Sequence, residues 1–349
     1  MNAPMDVRLT QFSHGGGCGC KIAPAMLSEM LAAAGLRNLP RQLLVGIESS
    51  DDAAVYQLND RQALVATTDF FMPIVDDPED FGRIAAANAI SDVYAMGATP
   101  IFALALVGMP IDKLPMDVIR RILAGGESVC AEAGIPIAGG HSIDSVEPIY
   151  GLVVLGLIDP AKVKRNSGAH AGDVLILGKP LGVGILSAAL KKGVLSDAGY
   201  RSLIDTTTRL NKPGMKMADL EGVHAMTDVT GFGLGGHLLE MCKGSGLAAE
   251  IQWERLPFIA EALEHAKNGI ATGASARNWS GYGAAVRTPP QFADWQNNLL
   301  SDPQTSGGLL VACAPEVEAQ ALAEFTNAGF DRACRIGKMK NGAAQIEVR

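Results

Sequence analysis

Long hydrophobic runs are missing from this sequence of 349 residues. No stretch approaches the roughly 18 uncharged apolar residues that a membrane-spanning helix needs, and the first residues lack the basic segment and apolar run of a secretory signal. We therefore expect a soluble protein that is not exported. Only 19% of the residues are charged while 48% are hydrophobic, so the chain can bury a large core and intrinsic disorder is excluded.

Positive charge and cysteine are also scarce. The 29 Lys and Arg residues are outnumbered by 37 Asp and Glu, and a net charge of −8 does not suit a protein that binds nucleic acid through its phosphates. Any anionic ligand must therefore be bound locally, with the help of a metal. Because a disulfide framework is not apparent, we expect a reducing, cytoplasmic location. Four of the six cysteines stand singly in apolar segments: Cys130, Cys242, Cys313 and Cys334.

Glycine, in contrast, is abundant. The chain has 40 glycines, gathered in clusters, whereas an average content of about 7% would give roughly 24. Clustered glycines indicate tight turns at which the backbone approaches ligands closely. The length favours two domains over one. We predict a glycine-rich mobile arm and lead-in over residues 1–50, a first domain over residues 51–160 and a second domain over residues 172–349.

Short apolar runs alternate with helical periodicity in both halves, which predicts an α/β or α+β architecture. Basic and turn residues replace this periodicity between residues 159 and 172, which places the domain boundary there. The predicted strands cover residues 63–67, 100–108, 149–158, 174–177 and 309–313. The predicted helices cover residues 79–96, 116–133, 181–192, 237–243 and 315–328, and a long ordered loop with short elements is expected over residues 269–290.

An unusual segment lies near the N-terminus and reads His14-Gly-Gly-Gly-Cys-Gly-Cys-Lys21. It could be a flexible arm, or His14, Cys18 and Cys20 could bind zinc, although three ligands without a second cysteine pair make a weak structural site. We favour a third interpretation, in which the Cys18 thiolate is a nucleophile. Lys21 would lower the pKa of the thiol, and the glycines would leave the sulfur accessible on a mobile lid.

Several aspartates stand at strand ends or in apolar contexts, where a bare carboxylate is expensive. On a helix, Asp92 would share the apolar stripe with Phe81, Ile84 and Asn88 and would face the core. Each aspartate taken alone could be an N-cap or turn residue, most plausibly Asp51. Together they suit Mg²⁺, which takes carboxylates, phosphate oxygens and water as ligands. The set comprises Asp51, Asp52, Asp69, Asp92 and Asp228.

Glycine-rich turns supply further candidate anion sites. Residues 231–236 fit the G-x-G-x-x-G pattern, but Asp228 directly before them would repel a pyrophosphate unless a metal bridged the two. Lys179 and Lys338 each follow a glycine but precede Pro and Met, so a P-loop is excluded. Backbone nests and hydroxyls suited to phosphate occur at residues 138–142 and 301–308. His141 could instead be a core histidine.

Seven of these segments together resemble one family, the selenophosphate synthetases or selenide, water dikinases. The resemblance runs from about residue 8 to the C-terminus. The C-x-C-K arm separates this family from its relatives in the aminoimidazole ribonucleotide synthetase-like superfamily. The matching segments are His14-Gly-Gly-Gly-Cys-Gly-Cys-Lys21, Ser50-Asp-Asp-Ala-Ala-Val55, Thr67-Thr-Asp-Phe-Phe71, Asn88-Ala-Ile-Ser-Asp92, Ala138-Gly-Gly-His-Ser142, Met226-Thr-Asp-Val-Thr-Gly-Phe-Gly233 and Ser301-Asp-Pro-Gln-Thr-Ser-Gly-Gly308.

The resemblance implies a two-domain α/β chain whose N-terminal domain, residues 51–160, binds ATP and dimerises through sheets that pair into a closed β-barrel. It implies a C-terminal α/β domain and a reaction in which selenide, ATP and water give selenophosphate, AMP and phosphate with several Mg²⁺ ions. The partners implied are small molecules and a second copy of the chain, without nucleic acid or membrane. A relative acting on a carbon substrate, such as thiamine monophosphate, is the alternative, but Cys18 and Lys21 would then have no role.

The resemblance also implies roles for single positions. Cys18 matches the catalytic cysteine, and Lys21 matches an essential lysine that also contacts nucleotide phosphates. The positions matching magnesium ligands are Asp52, Asp92 and Asp228. The positions matching ATP contacts are Ser49, Ser50, Asp51, Asp69, Asp92, Gly140, His141 and Ser142, although some members carry a basic residue in place of Ser50.

Overall fold

In a computed structural model, residues 7–21, 30, 39–46 and 51–349 are described. Within these ranges the chain forms two β-sheets with helices packed against them. The α/β architecture expected from the sequence is thus confirmed. None of the helices in the described ranges is long and apolar enough to cross a lipid bilayer.

The first sheet has six strands in the order β1-β2-β3-β6-β4-β5, and all its pairs are antiparallel except β4 with β5. Strand β6 coincides with its prediction, whereas β3 continues past the predicted end to Phe71. This extension brings Asp69 into the sheet. The strands are β1 (Leu43–Val45), β2 (Ala54–Asn59), β3 (Gln62–Phe71), β4 (Thr99–Met109), β5 (Ile137–Asp144) and β6 (Ile149–Ile158).

Helices α1 (Pro78–Ala95) and α2 (Met116–Ala133) cover one face of this sheet, each within one residue of its predicted start and end. Helix α1 begins where the Asp77 carboxylate accepts hydrogen bonds from the backbone N–H groups of Glu79 and Asp80. Almost all of its residues are buried, including Asp92, so the prediction that this carboxylate faces the core is confirmed. A buried helix can thus carry polar side chains into the interior.

The second sheet has seven strands in the order β10-β13-β9-β12-β7-β11-β8. Its strands are β7 (Val174–Leu177), β8 (Val223–Asp228), β9 (Ala248–Ile251), β10 (Val286–Arg287), β11 (Leu309–Cys313), β12 (Cys334–Lys340) and β13 (Ile346–Val348). Its helices are α3 (Val183–Lys191), α4 (Asp197–Thr207), α5 (Pro213–Met217), α6 (Gly233–Ser245), α7 (Ala260–Lys267), α8 (Gly273–Tyr282), α9 (Asp294–Leu300) and α10 (Glu318–Asn327). Strands β7 and β11 coincide with their predictions.

The expected long loop over residues 269–290 is partly wrong, because ten of its residues form helix α8. The side chain of Thr272 caps this helix by accepting a hydrogen bond from the Ser275 N–H. Only Ala274, Ser275 and Asn278 are buried, so the helix lacks a wide apolar stripe from which periodicity could predict it.

Candidate active site

Carboxylates from both halves of the chain meet where the two sheets and α1 come together. Asp69 lies near the end of β3, Asp228 ends β8, Asp92 projects from α1, and Asp52 precedes β2. Asp228 is only 1% exposed and Asp92 9%. After burial, the charges of Asp228 and Asp69 raise the pKa of Asp92, and those of Asp228 and Asp92 raise the pKa of Asp52, as expected of carboxylates that lie close together. We call these four residues the carboxylate cluster.

Hydroxyl groups hold one oxygen of each of three carboxylates. Thr67 Oγ1 donates to Asp92, and Ser91 Oγ donates to Asp228 across the boundary between the two halves. Thr227 Oγ1 donates to Asp52 Oδ1 at 2.8 Å. These short side chains neighbour the aspartates in sequence or in the fold, so they fix the carboxylates while bringing no positive charge to the cluster.

The electrostatics of the cluster are unfavourable without a cation. Burial, followed by the negative charges of neighbouring carboxylates, raises the pKa of Asp52 and of Asp92 well above the ordinary value. Burial also raises the pKa of Asp228, against hydrogen bonding from Ser91. Mutually repelling buried carboxylates are costly unless a bound ion compensates them. The cluster is therefore arranged to receive positive charge.

Two further carboxylate oxygens are left available. Asp51 Oδ1 accepts the Asn166 N–H at 2.7 Å and Asp52 Oδ1 accepts from Thr227. Asp51 Oδ2 and Asp52 Oδ2 are buried and have no hydrogen-bond partner within the described part of the chain. These two oxygens, one from the cluster member Asp52 and one from its neighbour Asp51, match the hard oxygen donor set that Mg²⁺ prefers. Both the chemistry and the orphaned atoms fit a magnesium site.

Cys18 lies against this cluster, but in a different state from the one expected. Its side chain is 1% exposed, and burial, followed by the charge of Asp69, raises the pKa of the thiol. Cys18 Sγ donates to Asn88 Oδ1 at 3.1 Å, and its N–H donates to Thr305 Oγ1 at 3.0 Å. The expectation of an accessible thiolate with a lowered pKa is therefore wrong for this structure. The reason is that residues 17 and 18 of the arm pack against other parts of the chain, so the glycines do not expose the sulfur.

Lys21 forms an ion pair with a carboxylate of the cluster. Its ammonium group lies 3.4 Å from Asp69 Oδ2, and the side chain is 41% exposed. The charge of Asp69 is the main cause that raises the pKa of Lys21, so the side chain stays cationic. Lys21 thus places a fixed positive charge between the cluster and solvent.

Asn88 connects the parts of the site, although no functional role was predicted for it. Its Nδ2 donates to Asp69 Oδ2 at 2.6 Å, while its Oδ1 accepts from Cys18 Sγ and from the Ser306 N–H. A sequence signal did exist, because an amide four residues before Asp92 on the same apolar stripe has no packing use. One fully buried side chain thus joins the arm, the cluster and the 301–308 loop.

The glycines of the arm allow its backbone to dock closely. Gly17 has φ +54°, and a Cβ there would lie 2.2 Å from Thr305 Oγ1. Its N–H donates to Met72 O at 2.8 Å. Arg277 on α8 donates from Nη2 to Gly19 O at 3.0 Å. Side chains larger than hydrogen at Gly17 would push the arm away from the cluster.

The buried side chain of Lys179, which is 2% exposed, supports the 301–308 loop. Its ammonium group donates to Ser306 O at 2.8 Å, and burial lowers the pKa of Lys179 to about 7. Ser306 itself has φ +52°, an uncommon conformation for a residue with a side chain. The loop that caps Cys18 is therefore fixed by tertiary contacts.

Two spaces adjoin Cys18 and the arm. A cavity of about 10 Å³, close to the minimum for one water molecule, is lined by residues that include Cys18, Lys21, Arg277 and Asn278. A groove of about 530 Å³ runs along the arm past Lys191. The small cavity has room for no more than one water-sized molecule beside the thiol, and the groove is large enough for part of a nucleotide.

Other predicted site residues lie apart from the cluster. Gly140, His141 and Ser142 are exposed on edge strand β5, and with β6 and β4 in between, β5 lies about 14 Å from β3. They line a mainly apolar groove of about 570 Å³ between α2 and the sheet. The exposure of His141 contradicts the alternative of a core histidine. Ser49 and Ser50 lie outside the described residues.

The zinc alternative finds no support at His14. The imidazole Nδ1 of His14 lies 2.9 Å from Glu147 Oε2, and the backbone N–H of His14 donates a hydrogen bond to the same carboxylate. His14 is thus engaged by Glu147 and not by Cys18, while the Cys20 side chain lies outside the described part of the chain.

The chain is similar to known proteins over almost its whole length. Family profiles of AIR synthase related proteins match residues 50–158 with the N-terminal domain and residues 170–348 with the C-terminal domain. A selenide, water dikinase of Pseudomonas straminea is 63% identical over 345 residues, covering 98% of this chain and 96% of the relative. One of Burkholderia ambifaria is 62% identical over 348 residues, covering 100% and 98%.

Solved structures with similar folds are more distant in sequence. Thiamine-monophosphate kinase from Stenotrophomonas maltophilia has a TM-score of 0.64 at 20% identity, covering 93% of this chain and 95% of that chain. Hydrogenase maturation protein HypE in complex with ATP has a TM-score of 0.62 at 20% identity, covering 98% and 89%. At this identity the likeness concerns the fold, and it agrees with the two-domain architecture that the resemblance implied.

Proposed function

The chain belongs to the selenide, water dikinase family and catalyses the ATP-dependent synthesis of selenophosphate from selenide and water, and we propose that the carboxylate cluster performs this reaction as a magnesium site. The observation that carries the proposal is the set of mutually repelling carboxylates, together with the buried oxygens of Asp51 and Asp52 that have no hydrogen-bond partner among the described residues. ATP is the substrate, and its triphosphate brings about four further negative charges. Cluster and substrate are compatible only through cations.

We propose that Asp52, Asp92 and Asp228 bind the magnesium ions. Bound Mg²⁺ would neutralise the phosphates and polarise the γ-phosphoryl group. Thr67, Ser91 and Thr227 each hold one oxygen of these carboxylates, so the remaining oxygens are oriented before substrate arrives. Asp51 and Asp69 are proposed to line the nucleotide side of the site, as are Ser49 and Ser50.

Lys21 and Cys18 are proposed to serve the selenide. The hydrogen selenide anion is soft and small, and the cavity beside Cys18 is walled by the cations of Lys21 and Arg277. Lys21 would release Asp69 and compensate the anion or a phosphate oxygen. Cys18, held by Asn88 and Thr305, would offer sulfur as the soft contact for selenium. Attack on the γ-phosphoryl group gives selenophosphate, and water then takes the next phosphoryl group, leaving AMP and phosphate.

We propose further that two copies pair through the first sheet. Its face opposite α1 and α2 carries incompletely buried apolar side chains, and Phe70 is 52% exposed. The others include Leu64, Leu104, Val153 and Leu155. Both faces of such strands require cover. Because Gly140, His141 and Ser142 lie on the edge strand away from their own cluster, we propose that they contact a nucleotide bound at the cluster of the second copy.

An anaerobic assay with ATP, Mg²⁺ and selenide tests the proposed site. Phosphorus NMR would follow AMP and the selenium–phosphorus product. For Asp92→Asn and Asp228→Asn we expect turnover to fall by at least about tenfold, the smallest loss typical even for groups that only support a metal ligand. Asp219→Asn, which alters an exposed ion pair with Lys162, is the matched control and should keep full activity. Full rates with unchanged magnesium dependence in both cluster variants would refute the assignment.

A further inference from the structure

A second group of potential metal ligands lies outside the carboxylate cluster. It comprises His170, Asp173 and His224, and one nitrogen or oxygen atom from each lies within 4.8 Å of the others. His224 Nδ1 is 2.8 Å from Asp173 Oδ1, and the centroids of the two imidazole rings are 3.9 Å apart. His224 and Asp228 occupy opposite ends of β8, about 13 Å apart along the strand. The group is therefore separate from the proposed magnesium site.

A tight turn holds two of the ligands at the end of the linker, residues 159–172, between the two predicted domains. The Asp173 N–H donates to His170 O at 3.1 Å, and the His170 N–H donates to Asp173 Oδ2 at 2.7 Å. Gly172 supplies φ +101°, and its N–H donates to Met339 O at 2.9 Å. The turn is thus fixed by backbone groups and by the Asp173 carboxylate, and it does not depend on the imidazole ring of His170, which is exposed.

An irregularity in β8 presents the third ligand. Ala225 pairs with Ala312 and Val223 pairs with Cys313, so His224 is an extra residue in this strand. Such bulges redirect a side chain and occur preferentially beside functional sites. Gly168 packs against this position, since a Cβ there would lie 2.3 Å from His224 O. The linker and the bulge are therefore in direct contact.

The chemistry of the group suits a divalent cation. Asp173 is a buried carboxylate, and in the described ranges its one ion-pair partner is His224. Two imidazoles and a carboxylate are ligands that zinc and neighbouring transition metals accept, and imidazoles bind them in the neutral form. Tetrahedral zinc places its ligand atoms about 3.3 Å apart. We expect rotation of the exposed His170 ring to close the remaining distance.

We propose that His170, Asp173 and His224 bind one zinc-class transition-metal ion, with a fourth position open to water. The ion would connect the turn that carries His170 and Asp173 to His224 in β8. This site is independent of the proposed magnesium chemistry, so its failure would leave that proposal intact.

Equilibrium dialysis of the full-length protein against Zn²⁺, in excess Mg²⁺, tests the proposal through the metal bound per chain. We expect the wild-type protein to hold one zinc more than His170→Ala, or to hold that ion at least about tenfold more tightly. His170→Ala keeps the backbone N–H that forms the turn, so its fold is preserved. The control is His265→Ala, which removes a histidine paired with Glu261 on α7 and should bind zinc as the wild type does. Zinc held at Cys18 or elsewhere is common to all three proteins.

Thermal unfolding supplies a second measurement. Because a ligand that binds only the folded state raises Tm, Zn²⁺ should raise Tm of the wild type and of His265→Ala, and it should raise Tm of His170→Ala and His224→Gln less. If His224→Gln does not fold, His170→Ala decides the matter. Absence of zinc from the wild type, or equal zinc content and equal Tm shifts in His170→Ala, would overturn the proposal.

Discussion

Asn88 shows how one side chain organises chemistry contributed by distant segments. It is 0% exposed, and its side-chain amide forms hydrogen bonds to Cys18 in the arm, to Asp69 in the cluster and to Ser306 in the 301–308 loop. An amide can do this because it offers donors and acceptors at once without adding charge. Among carboxylates that repel one another, a neutral amide connects the segments without adding a further buried charge, which would destabilise the fold.

We predict that Asn88→Ala lowers the free energy of unfolding by about 1–3 kcal/mol for each buried partner left unsatisfied, and that it reduces selenophosphate formation. Urea unfolding and the anaerobic assay measure the two effects. Asn341→Ala, at an exposed turn near the C-terminus, is the control and should change neither. Unchanged stability and activity in Asn88→Ala would show that the hydrogen bonds of the Asn88 side chain do not hold the site together.

At this scale the sequence located the acidic residues but not the state of the thiol. Carboxylates such as Asp92 were predictable because a charge on an apolar stripe is conspicuous. The burial of Cys18 depends on Thr305, which is 287 positions away in the chain, and on close docking at Gly17. Long-range contacts of this kind leave no local pattern, so the glycine-rich arm suggested exposure where the structure has contact.

Among the elements, the crossing of α1 and α2 depends on glycine. A Cβ on Gly125 would lie 2.1 Å from Glu79 O, and one on Gly82 would lie 1.9 Å from Ile122 O. Both obstacles are backbone atoms, which cannot rotate away. The two helices thus approach each other more closely than side chains would allow, and α1, which carries Asn88 and Asp92, is held in position.

We predict that Gly125→Ala destabilises the protein by about 1–3 kcal/mol, because the strain of overpacking exceeds the gain of about 1 kcal/mol in helix propensity. Chemical denaturation measures the difference. Gly281→Ala provides the comparison, since Gly281 lies in α8 with no atom within 4 Å of an added Cβ, and it should be neutral or stabilising. Equal effects at both glycines would contradict the close crossing.

The elements themselves were largely predictable, because apolar periodicity in the sequence is strong. Strand β6 and helix α2 match their predictions, since each has the pattern of a buried strand or an amphipathic helix. Helix α8 was not predicted, because tertiary packing and the Thr272 cap form it without an apolar stripe. The His224 bulge was likewise invisible, since register arises from pairing with β11.

For the whole molecule, the central question is how the apolar outer face of the first sheet is covered. We predict a homodimer, since two such sheets pairing about a two-fold axis would bury both faces, and obligate interfaces usually exceed about 2,000 Å². Sedimentation at micromolar concentration measures the mass. Phe70→Glu, which places a charge on this face, should shift the protein toward the monomer, and Val194→Glu, at an exposed side chain just after α3, should not. A wild-type mass near the monomer value of 36.4 kDa would contradict the dimer.

The central claim, that the carboxylate cluster binds the divalent ions of the nucleotide, is tested most directly by crystallography. Crystals grown with Mn²⁺ and a non-hydrolysable ATP analogue would reveal the ions by anomalous scattering. We predict peaks within coordination distance of oxygens of Asp52, Asp92 and Asp228, and the loss of at least one peak in Asp92→Asn. Ordered nucleotide phosphates whose manganese ions contact none of these three carboxylates would contradict the account.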